Sequence, residues 1–354
     1  MKTKIIDVHP EFPDAGEIAA CAKIIRQGGL VIFPTETVYG VAADFTNAKA
    51  VERLKAVKKR SDDKPFSILI AQKGLISNYT ASSDPFMYKL IETYWPGPLT
   101  IVVPLRDQGK TIGIRMPDHP IAIRLIADAQ VPLAAPSANF EGNPPPKTCE
   151  EALKDLDGLV DAAINAGPAL TGRSSTVVDL TKDPPVIIRE GDILQKHIDK
   201  LKKKKSILFV CTGNSCRSVM AEYLLKKMLK GRDDVDVYSA GTGVLFRTAA
   251  SSETVAVLRE EGIDSNSHLA QPLNTLLLKK SDLIITMTRS HRQQVLERVP
   301  DVEKRVYLLK EFANIPASLL GDMDVPDPIG KSHGEYKECL NVIKQSVARI
   351  KELI

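Results

Sequence analysis

Cysteine is scarce in this sequence of 354 residues, and no two cysteines form a CxxC pair. The five present are Cys21, Cys149, Cys211, Cys216 and Cys339, an odd number without the spacing of a disulfide framework. This pattern argues against a structural zinc site and is typical of proteins kept in a reducing cytoplasm. No apolar run is long enough for a signal peptide or a membrane span, so we expect a cytoplasmic protein without membrane association.

Extremes of composition are also missing. Hydrophobic residues make up 43% of the chain, charged residues make up 26%, and the net charge is +4. These values are ordinary for globular proteins and are weak evidence for nucleic-acid binding. The length suits two domains, and six lysines fall in one stretch, ILQKHIDKLKKKK over 193–205. We interpret residues 196–205 as a solvated, partly helical linker between domains of residues 1–195 and 206–354.

Strand-like and helix-like stretches alternate along both halves of the chain, which predicts an α/β protein. The strands expected in the first half, a mixed α/β domain, include 99–104, 176–180 and 186–189. The strands expected in the second half are 207–210, 235–239, 283–287 and 306–309. Helices separate the strands of the second half, which predicts a doubly wound parallel sheet with an active site at the carboxyl ends of its strands.

The segment CTGNSCRS, residues 211–218, follows a predicted buried strand and precedes a helix. A loop in that position points several backbone N–H groups at one spot, and the helix dipole adds positive potential, so the loop can bind a phosphate dianion. The same environment favours the thiolate of Cys211, which can attack phosphorus. Arg217 can direct two donors at phosphate oxygens. We assign phosphate binding also to the other loop residues, Thr212, Gly213, Asn214, Ser215, Cys216 and Ser218.

A carboxylate that can protonate the leaving group lies downstream, in DVPDPIG. Asp327 precedes a proline that stiffens its loop, and we assign it as the general acid and then as the base for hydrolysis of the phosphocysteine. Asp324 is the alternative. A lone Cys-x5-Arg pattern would be unconvincing, but here the flanking strand and helix, the Gly-Asn pair and the Asp-Pro pair all agree with it.

These motifs, together with SAGT at 239–242, make residues 206–354 resemble the low-molecular-weight protein tyrosine phosphatase family. The resemblance implies a Rossmann-like parallel sheet and the same roles for Cys211, Arg217 and Asp327. It also implies that Ser218 is the hydroxyl partner of the thiolate. Cys216 matches a second loop cysteine that in such enzymes can trap the oxidised nucleophile as a disulfide, and simple packing of Cys216 is the alternative.

Two departures from the family pattern bear on the substrate. Ser215 stands where tyrosine-specific members carry a bulky aliphatic residue, and Ile329-Gly330 replaces an aromatic pair. Bacterial members specific for phosphoarginine look similar, with threonine at the Ser215 position. We therefore expect a phosphoprotein substrate that carries phosphoarginine, with phosphotyrosine as the close alternative. Related arsenate reductases need additional cysteines in mid-domain, and none lies between Arg217 and Glu338.

The first half contains neither a Walker loop nor a GxGxxG motif. Its candidate anion contacts are in PTETVYG (34–40), the basic helix end KKRSDDKP (58–65), and the small-residue loops APSAN (135–139) and GRSST (172–176). A solvated helix end would explain the basic cluster equally well. Chemistry alone therefore indicates an anion or nucleotide site without fixing its ligand.

Six ordered blocks make residues 14–192 resemble the YrdC-type threonylcarbamoyl-AMP synthase family: FPTETVYG, KxR, WPGPLT, RMPDHP, PSAN and SSTVVD. The resemblance implies a twisted mixed α/β fold and synthesis of L-threonylcarbamoyladenylate from L-threonine, bicarbonate and ATP, with release of pyrophosphate. The product would pass to the tRNA-modification machinery for the t6A modification of tRNA. The implied threonine ligands are Thr37, Arg115 and Ser175. The implied ATP ligands are Lys58, Arg60, Lys64, Thr111, Ser137, Asn139 and Arg189. Mg²⁺ is expected with ATP, bound through phosphate oxygens and water, and no metal ligand is assigned to a protein side chain.

The synthase pattern is broken at three positions: Ser61 stands where proline is common, Lys64 where asparagine is common, and Leu69 where histidine is common. A carbamoyl-adenylating hydrogenase-maturation protein shares this domain, but the sequence lacks its acylphosphatase and zinc-finger modules. The leading hypothesis is a bifunctional enzyme, a synthase fused to a phosphatase. The alternative is a protein tyrosine phosphatase fused to a non-catalytic module that binds tRNA or double-stranded RNA with help from the Lys-rich linker. The retained ATP ligands favour catalysis.

Overall fold

The computed structural model describes residues 2–59, 66–106, 109–313 and 322–354. The chain forms two compact units, one of residues 1–82 with 90–199 and one of residues 83–89 with 200–354. Within the described residues, no helix has the length and apolar character needed to cross a membrane.

The first unit is built on a ten-stranded mixed sheet in the order β1-β8-β2-β3-β7-β4-β6-β5-β9-β10. The strands are β1 (Lys4–Asp7), β2 (Val31–Phe33), β3 (Gly40–Asp44), β4 (Ile68–Leu69), β5 (Leu99–Pro104), β6 (Thr111–Arg115), β7 (Leu133–Ala134), β8 (Ala162–Asn165), β9 (Thr176–Asp179) and β10 (Val186–Arg189). The helices in this part of the chain are α1 (Ala15–Arg26), α2 (Ala48–Lys58), α3 (Pro85–Tyr94), α4 (Pro120–Ala129), α5 (Cys149–Leu156) and α6 (Gln195–Lys203), and a 3₁₀ helix covers Lys73–Asn78. The mixed α/β prediction is confirmed.

Strand alternation distributes the core of the first unit over both faces of its sheet. Val31 and Phe33 of β2 pack with α1 and α4, whereas Ile32 packs with α2 and α5. Asn47 begins α2 by accepting hydrogen bonds from two backbone N–H groups of the first turn. Since both faces are covered, the polar residues described below must gather at strand ends and in loops.

The second unit contains a four-stranded parallel sheet in the order β12-β11-β13-β14, as predicted. Its strands are β11 (Lys205–Cys211), β12 (Val235–Gly241), β13 (Leu283–Thr286) and β14 (Val306–Leu308). The helices are α7 (Arg217–Met228), α8 (Ser252–Glu260), α9 (Thr275–Lys280), α10 (Arg289–Arg298), α11 (Leu309–Phe312) and α12 (His333–Leu353), with a 3₁₀ helix at Pro300–Arg305. Phe209 of β11 packs under α7 and α12, whereas Leu208 and Val210 face α9 and α10. Helices therefore cover both faces, and the doubly wound prediction is confirmed.

The strand order fixes where a ligand can bind in the second unit. From β11 the chain moves to β12 on one side and later to β13 on the other, so the direction of winding reverses between β11 and β13. A crevice opens at such a reversal, beyond the carboxyl ends of the strands. Cys211 is the last residue of β11 and therefore lies at this crevice.

Candidate active sites

The loop between β11 and α7 holds the Cys211 thiol in a polar cradle. Cys211 is 3% exposed, and its Sγ lies 3.0 Å from Ser218 Oγ. The backbone N–H of Asn214 points at the same sulfur, 3.3 Å away. A hydroxyl and an N–H directed at one sulfur stabilise negative charge on it, which is what a nucleophilic thiolate requires.

Asn214 fixes the shape of this loop. Its φ is +50°, so Asn214 rather than Gly213 takes the left-handed conformation that the tight turn needs. Its side-chain Nδ2 donates to Ser218 Oγ at 3.0 Å and to Ser239 Oγ at 2.7 Å. Its side-chain Oδ1 accepts the backbone N–H of Gln271 at 2.7 Å. The fully buried Asn214 side chain thus ties the loop to the end of β12 and to the segment before α9.

Gly241 lets the end of β12 approach the loop from behind. A Cβ at this position would lie 2.4 Å from the Thr212 carbonyl oxygen and 2.9 Å from the Asn214 nitrogen, closer than atoms can come. The neighbouring Gly243 donates its N–H to the Thr212 oxygen at 3.0 Å. Glycine at 241 is therefore required by close backbone packing.

Arg217 and Asp327, predicted to act together, are in direct contact. The Arg217 guanidinium is 5% exposed, donates to the Val325 carbonyl at 3.0 Å and forms an ion pair with the Asp327 carboxylate. Asp327 is 43% exposed, so its carboxylate lies at the mouth of the site. Asp324 instead accepts the backbone N–H of Arg289 at 2.9 Å, at the start of α10. The geometry favours Asp327 over Asp324 as the acid.

Cys216 lies at the far end of the loop and is buried. Its Sγ is 3.4 Å from Ser251 Oγ and 3.5 Å from the Tyr336 hydroxyl, and Ser215 Oγ is 3.6 Å away. Burial is the main cause that raises the pKa of Tyr336 to about 12, so this hydroxyl stays protonated. Both loop cysteines carry free thiols in this structure.

Two histidines that the sequence analysis did not identify, His268 and His291, contact the loop between β11 and α7. His291 Nε2 is 2.8 Å from Thr212 Oγ1, and its Nδ1 is 2.8 Å from Thr288 Oγ1. Burial, aided by the charge of Arg217, lowers the pKa of His291 to about 4, so its ring is neutral near pH 7. His268 Nε2 lies 2.9 Å from the Asn214 carbonyl oxygen. A histidine in the first turn after a central parallel strand is the only signal that pointed to His291.

In the first unit, one cavity collects five of the ten residues predicted to bind threonine or ATP. Thr37, Arg115 and Ser175, the predicted threonine ligands, line it together with Ser137 and Arg189. The remaining lining residues are Phe33, Thr35, Val38, Gly40, Phe66, Ser67, Leu69, Thr100, Ala135, Pro136, Ser174 and Val177. Leu69, where a histidine was expected, therefore contributes an apolar part of the wall.

Two guanidinium groups face this cavity. Arg189 donates to the Ser175 carbonyl at 2.9 Å and to Ser175 Oγ at 3.0 Å, and Thr100 Oγ1 lies 2.8 Å from the same hydroxyl. Burial and the charge of Arg115 both lower the pKa of Arg189, with burial the larger cause. Two neighbouring cations and the surrounding hydroxyls are groups that can bind an anion in this cavity.

Lys58 supports the loop beside the cavity. Its buried ammonium donates to the Ser137 carbonyl at 2.6 Å and also to the Asn139 carbonyl. Lys58 thus joins the end of α2 to the 135–139 loop. Thr111 is exposed at the start of β6, at the opposite end of that strand from Arg115, and does not line the cavity. Arg60 and Lys64 lie outside the described residues.

Sequence reasoning also missed Glu36. This residue stands between Thr35 and Thr37, and its buried carboxylate lies 2.6 Å from Arg115 Nη2. Thr35 and Thr37 line the cavity, whereas Glu36 between them does not and pairs with the buried Arg115.

Comparison with known proteins assigns both halves. Residues 23–191 match the Sua5/YciO/YrdC family model, whose description is telomere recombination, and residues 206–353 match the model of the low molecular weight phosphotyrosine protein phosphatases. A putative threonylcarbamoyl-AMP synthase of Mycobacterium tuberculosis is 36% identical over 197 residues, covering 53% of this chain and 90% of the relative. The chain belongs to the Sua5/YciO/YrdC family, fused to a low-molecular-weight phosphatase domain. The predicted fusion is confirmed.

Two further relatives extend the Sua5/YciO/YrdC likeness. The threonylcarbamoyl-AMP synthase of Bacillus subtilis is 36% identical over 211 residues, which are 56% of this chain. The match spans 61% of that relative's length. The crystal structure of Pyrococcus abyssi Sua5 complexed with L-threonine has 25% sequence identity and a TM-score of 0.54, and the likeness covers 86% of this chain and 99% of that chain.

Proposed function

We propose that this protein is a bifunctional enzyme. Its first domain, residues 1–195, makes L-threonylcarbamoyladenylate for t6A modification of tRNA, and its second, residues 206–354, is a cysteine-dependent protein phosphatase. For the first activity the main support is the cavity that unites Thr37, Arg115, Ser175 and Arg189. For the second it is the thiol of Cys211 cradled by loop donors beside a paired arginine and aspartate.

The proposed synthase cavity has two parts. The Arg115 guanidinium binds the threonine carboxylate through hydrogen bonds, and the hydroxyls of Thr37 and Ser175 complete the amino-acid site. The amine of threonine adds to bicarbonate with loss of water, and the resulting carbamate oxygen attacks the α-phosphorus of ATP, so that pyrophosphate leaves. A Sua5 relative whose crystal structure is complexed with L-threonine supports this choice of amino acid.

The proposed ATP site uses the positive charges and loops at the rim. Ser137 and Asn139 lie in the 135–139 loop that Lys58 contacts, and Arg189 lines the same cavity as Ser137. Arg60, Lys64 and Thr111 are proposed by family resemblance alone. No group of three or more His, Cys, Asp or Glu side chains in the described part of the chain can hold a metal ion. As part of the proposal, Mg²⁺ accompanies ATP, is bound mainly through phosphate oxygens and water, and neutralises phosphate charge.

The synthase proposal is tested by pyrophosphate release from the full chain with ATP, bicarbonate and threonine, each omitted in turn. We expect release only when all three are present, and we expect Arg115→Gln to raise the KM for threonine while Arg124→Gln, an exposed arginine on α4, does not. If RNA binds and no threonine-dependent release is found, the first domain is a binding module instead.

The proposed phosphatase reaction proceeds in two displacements. The Cys211 thiolate attacks phosphorus while Asp327 gives a proton to the leaving nitrogen or oxygen, and a phosphocysteine forms. Water activated by the same carboxylate then attacks phosphorus, which restores the thiolate and releases inorganic phosphate. Arg217 must exchange at least one of its present contacts for phosphate oxygens in this scheme. The hydroxyl of Ser218 stabilises the departing thiolate.

Phosphoarginine is the substrate that we favour. The side chain of Ser215 is small and hydroxylated, and Ile329 supplies an aliphatic, 59% exposed side chain where a phenol ring would need an aromatic wall. A planar guanidinium can hydrogen-bond to a hydroxyl and does not need such stacking.

The substrate proposal is tested by comparing phosphoarginine and phosphotyrosine peptides. Wild type should prefer phosphoarginine, Cys211→Ser should lose both activities, and Ser215→Ile should shift the preference towards phosphotyrosine. Ser252→Ile, an exposed serine on α8, is the matched control. Hydrolysis of phosphotyrosine alone by wild type would refute the phosphoarginine proposal but leave the phosphatase assignment intact.

A further inference from the structure

Among the described residues of the first unit, the ion pair between Glu36 and Arg115 holds three of the four buried side-chain atoms that lack a hydrogen bond. The two side chains are only 6% and 9% exposed. Glu36 Oε1 lies 2.6 Å from Arg115 Nη2, yet among the described residues neither Glu36 oxygen nor this nitrogen has a well-aligned hydrogen bond. Burying a carboxylate without hydrogen bonds is costly, so the arrangement requires a reason beyond stability.

The backbone holds Glu36 behind Arg115 rather than in the cavity. Thr35 Oγ1 accepts the N–H groups of Thr37 and Val38, at 3.2 and 3.3 Å, and donates to the Val38 carbonyl at 2.6 Å. The Glu36 carbonyl accepts the N–H of Thr171 at 2.9 Å. This turn presents both threonines to the cavity and keeps Glu36 out of its lining.

Two contacts with the protein hold the Arg115 guanidinium on the side away from the cavity. Its Nε donates to the Gly97 carbonyl at 3.1 Å, and its Nη2 faces Glu36. Arg115 also lines the cavity, and its Nη1 makes no hydrogen bond within the described residues, so this edge is available to a ligand. A guanidinium fixed on two nitrogens loses little freedom when the third binds an anion.

Glu36 also offsets repulsion in the cavity. Arg189 lies close enough to Arg115 for the two charges to disfavour each other. Among the described residues, Glu36 is the carboxylate that pairs with Arg115, so without it this buried guanidinium would lose its counter-charge beside Arg189. We infer that Glu36 is a positioning residue that holds the Arg115 guanidinium in place for the carboxylate of the amino-acid substrate. This inference rests on the proposed synthase function.

The test uses Glu36→Gln and Glu36→Asp in the full chain, with threonine-dependent pyrophosphate release and calorimetric threonine binding. Gln keeps the volume and removes the charge, so the KM and Kd for threonine should rise by about tenfold to a hundredfold. The KM for ATP and the phosphatase activity should change less than about twofold, and kcat should change less than the KM for threonine. Asp should restore part of the threonine affinity. Glu52→Gln, an exposed glutamate on α2, is the control.

Each other outcome has a definite meaning. Unchanged threonine affinity in Glu36→Gln, with an active wild type, overturns the positioning role and leaves the synthase proposal standing. An equal loss of threonine and ATP affinity together with a lower melting temperature assigns Glu36 to the fold alone and also overturns it. A wild type that neither binds threonine nor releases pyrophosphate refutes the synthase proposal and with it this inference.

Discussion

Acidification should lower the free energy of unfolding of the second unit, because His291 is held neutral in the folded state. This ring is 4% exposed and lies between Thr212 of the β11–α7 loop and Thr288 at the start of α10. Burial and the Arg217 charge lower its pKa, and the opposing carboxylates of Asp327 and Asp324 do not offset them. A proton on His291 would remove its one acceptor nitrogen and charge a buried ring.

The size of the effect follows from the pKa difference. The ring has a pKa of 6.5 in the unfolded chain and about 4 in the folded unit. Because the folded state binds the proton more weakly, the stabilisation is complete above pH 6.5 and is lost as the pH falls towards 4. Linkage gives a loss of about 2 kcal/mol between about pH 7.5 and about pH 5, and of about 3 kcal/mol at about pH 4.

Two measurements check this prediction on the full chain. An NMR titration of the imidazole signals, assigned with His291→Gln, should show His291 still neutral at about pH 5. Thermal unfolding of wild type and of His291→Gln should be measured at about pH 7.5 and about pH 5. The wild type should lose more stability than the variant between these two pH values. Because other titrating groups are shared, they cancel in this comparison. His333→Gln, an exposed histidine, should not change the pH dependence in this way.

The reasoning is refuted if His291 titrates near 6.5. It is also refuted if the stability difference between wild type and His291→Gln is the same at both pH values.

Two further substitutions test close contacts in the two units. Gly241→Ala should lower phosphatase kcat/KM by at least about tenfold, because its Cβ would displace the Thr212 carbonyl, and an unimpaired variant would contradict the backbone argument. Gly243→Ala is the control, since the nearest atom to its Cβ would be 3.5 Å away. Lys58→Met should destabilise the first unit by about 2 kcal/mol in thermal unfolding, because two loop carbonyls lose their donor. The exposed Lys49→Met on the same helix should be neutral, and equal melting temperatures for the two variants would contradict the assigned role of Lys58.

The sequence predicted those elements whose local pattern was strong. The strands 99–104 and 186–189 were predicted with the bounds they have, because both are short apolar runs rich in β-branched residues. Strand β3 was not predicted. Its five residues, GVAAD, are all buried, so the alternation of a half-exposed strand is missing and alanine gives no strand preference. Pairing with β2 and β7 forms this strand, and no local pattern reveals such pairing.

The same limit applies to the sites. Cys211 and Arg217 lie in one short segment, so the Cys-x5-Arg spacing was sufficient to predict that they act together. Their supports come from distant parts of the chain: Ser239 at the end of β12, His268 before α9 and His291 in α10. Their contacts with the β11–α7 loop arise only when the fold brings these segments together, and no local pattern reveals such contacts.

A comparison of the two arginines that we propose to bind anions distinguishes two uses of a paired carboxylate. Arg217 pairs with Asp327, whose side chain is 43% exposed, whereas Arg115 pairs with Glu36, which is 6% exposed. An exposed carboxylate can release its arginine to a phosphate at little cost, since water replaces the lost contact, and is then free to transfer protons. A buried carboxylate cannot leave its partner without an uncompensated charge, so it can only hold the arginine in place. Asp327→Asn should therefore reduce phosphatase kcat more than it raises KM, whereas Glu36→Gln should raise the KM for threonine more than it reduces synthase kcat. The reverse pattern at either site would show that exposure does not distinguish the two roles.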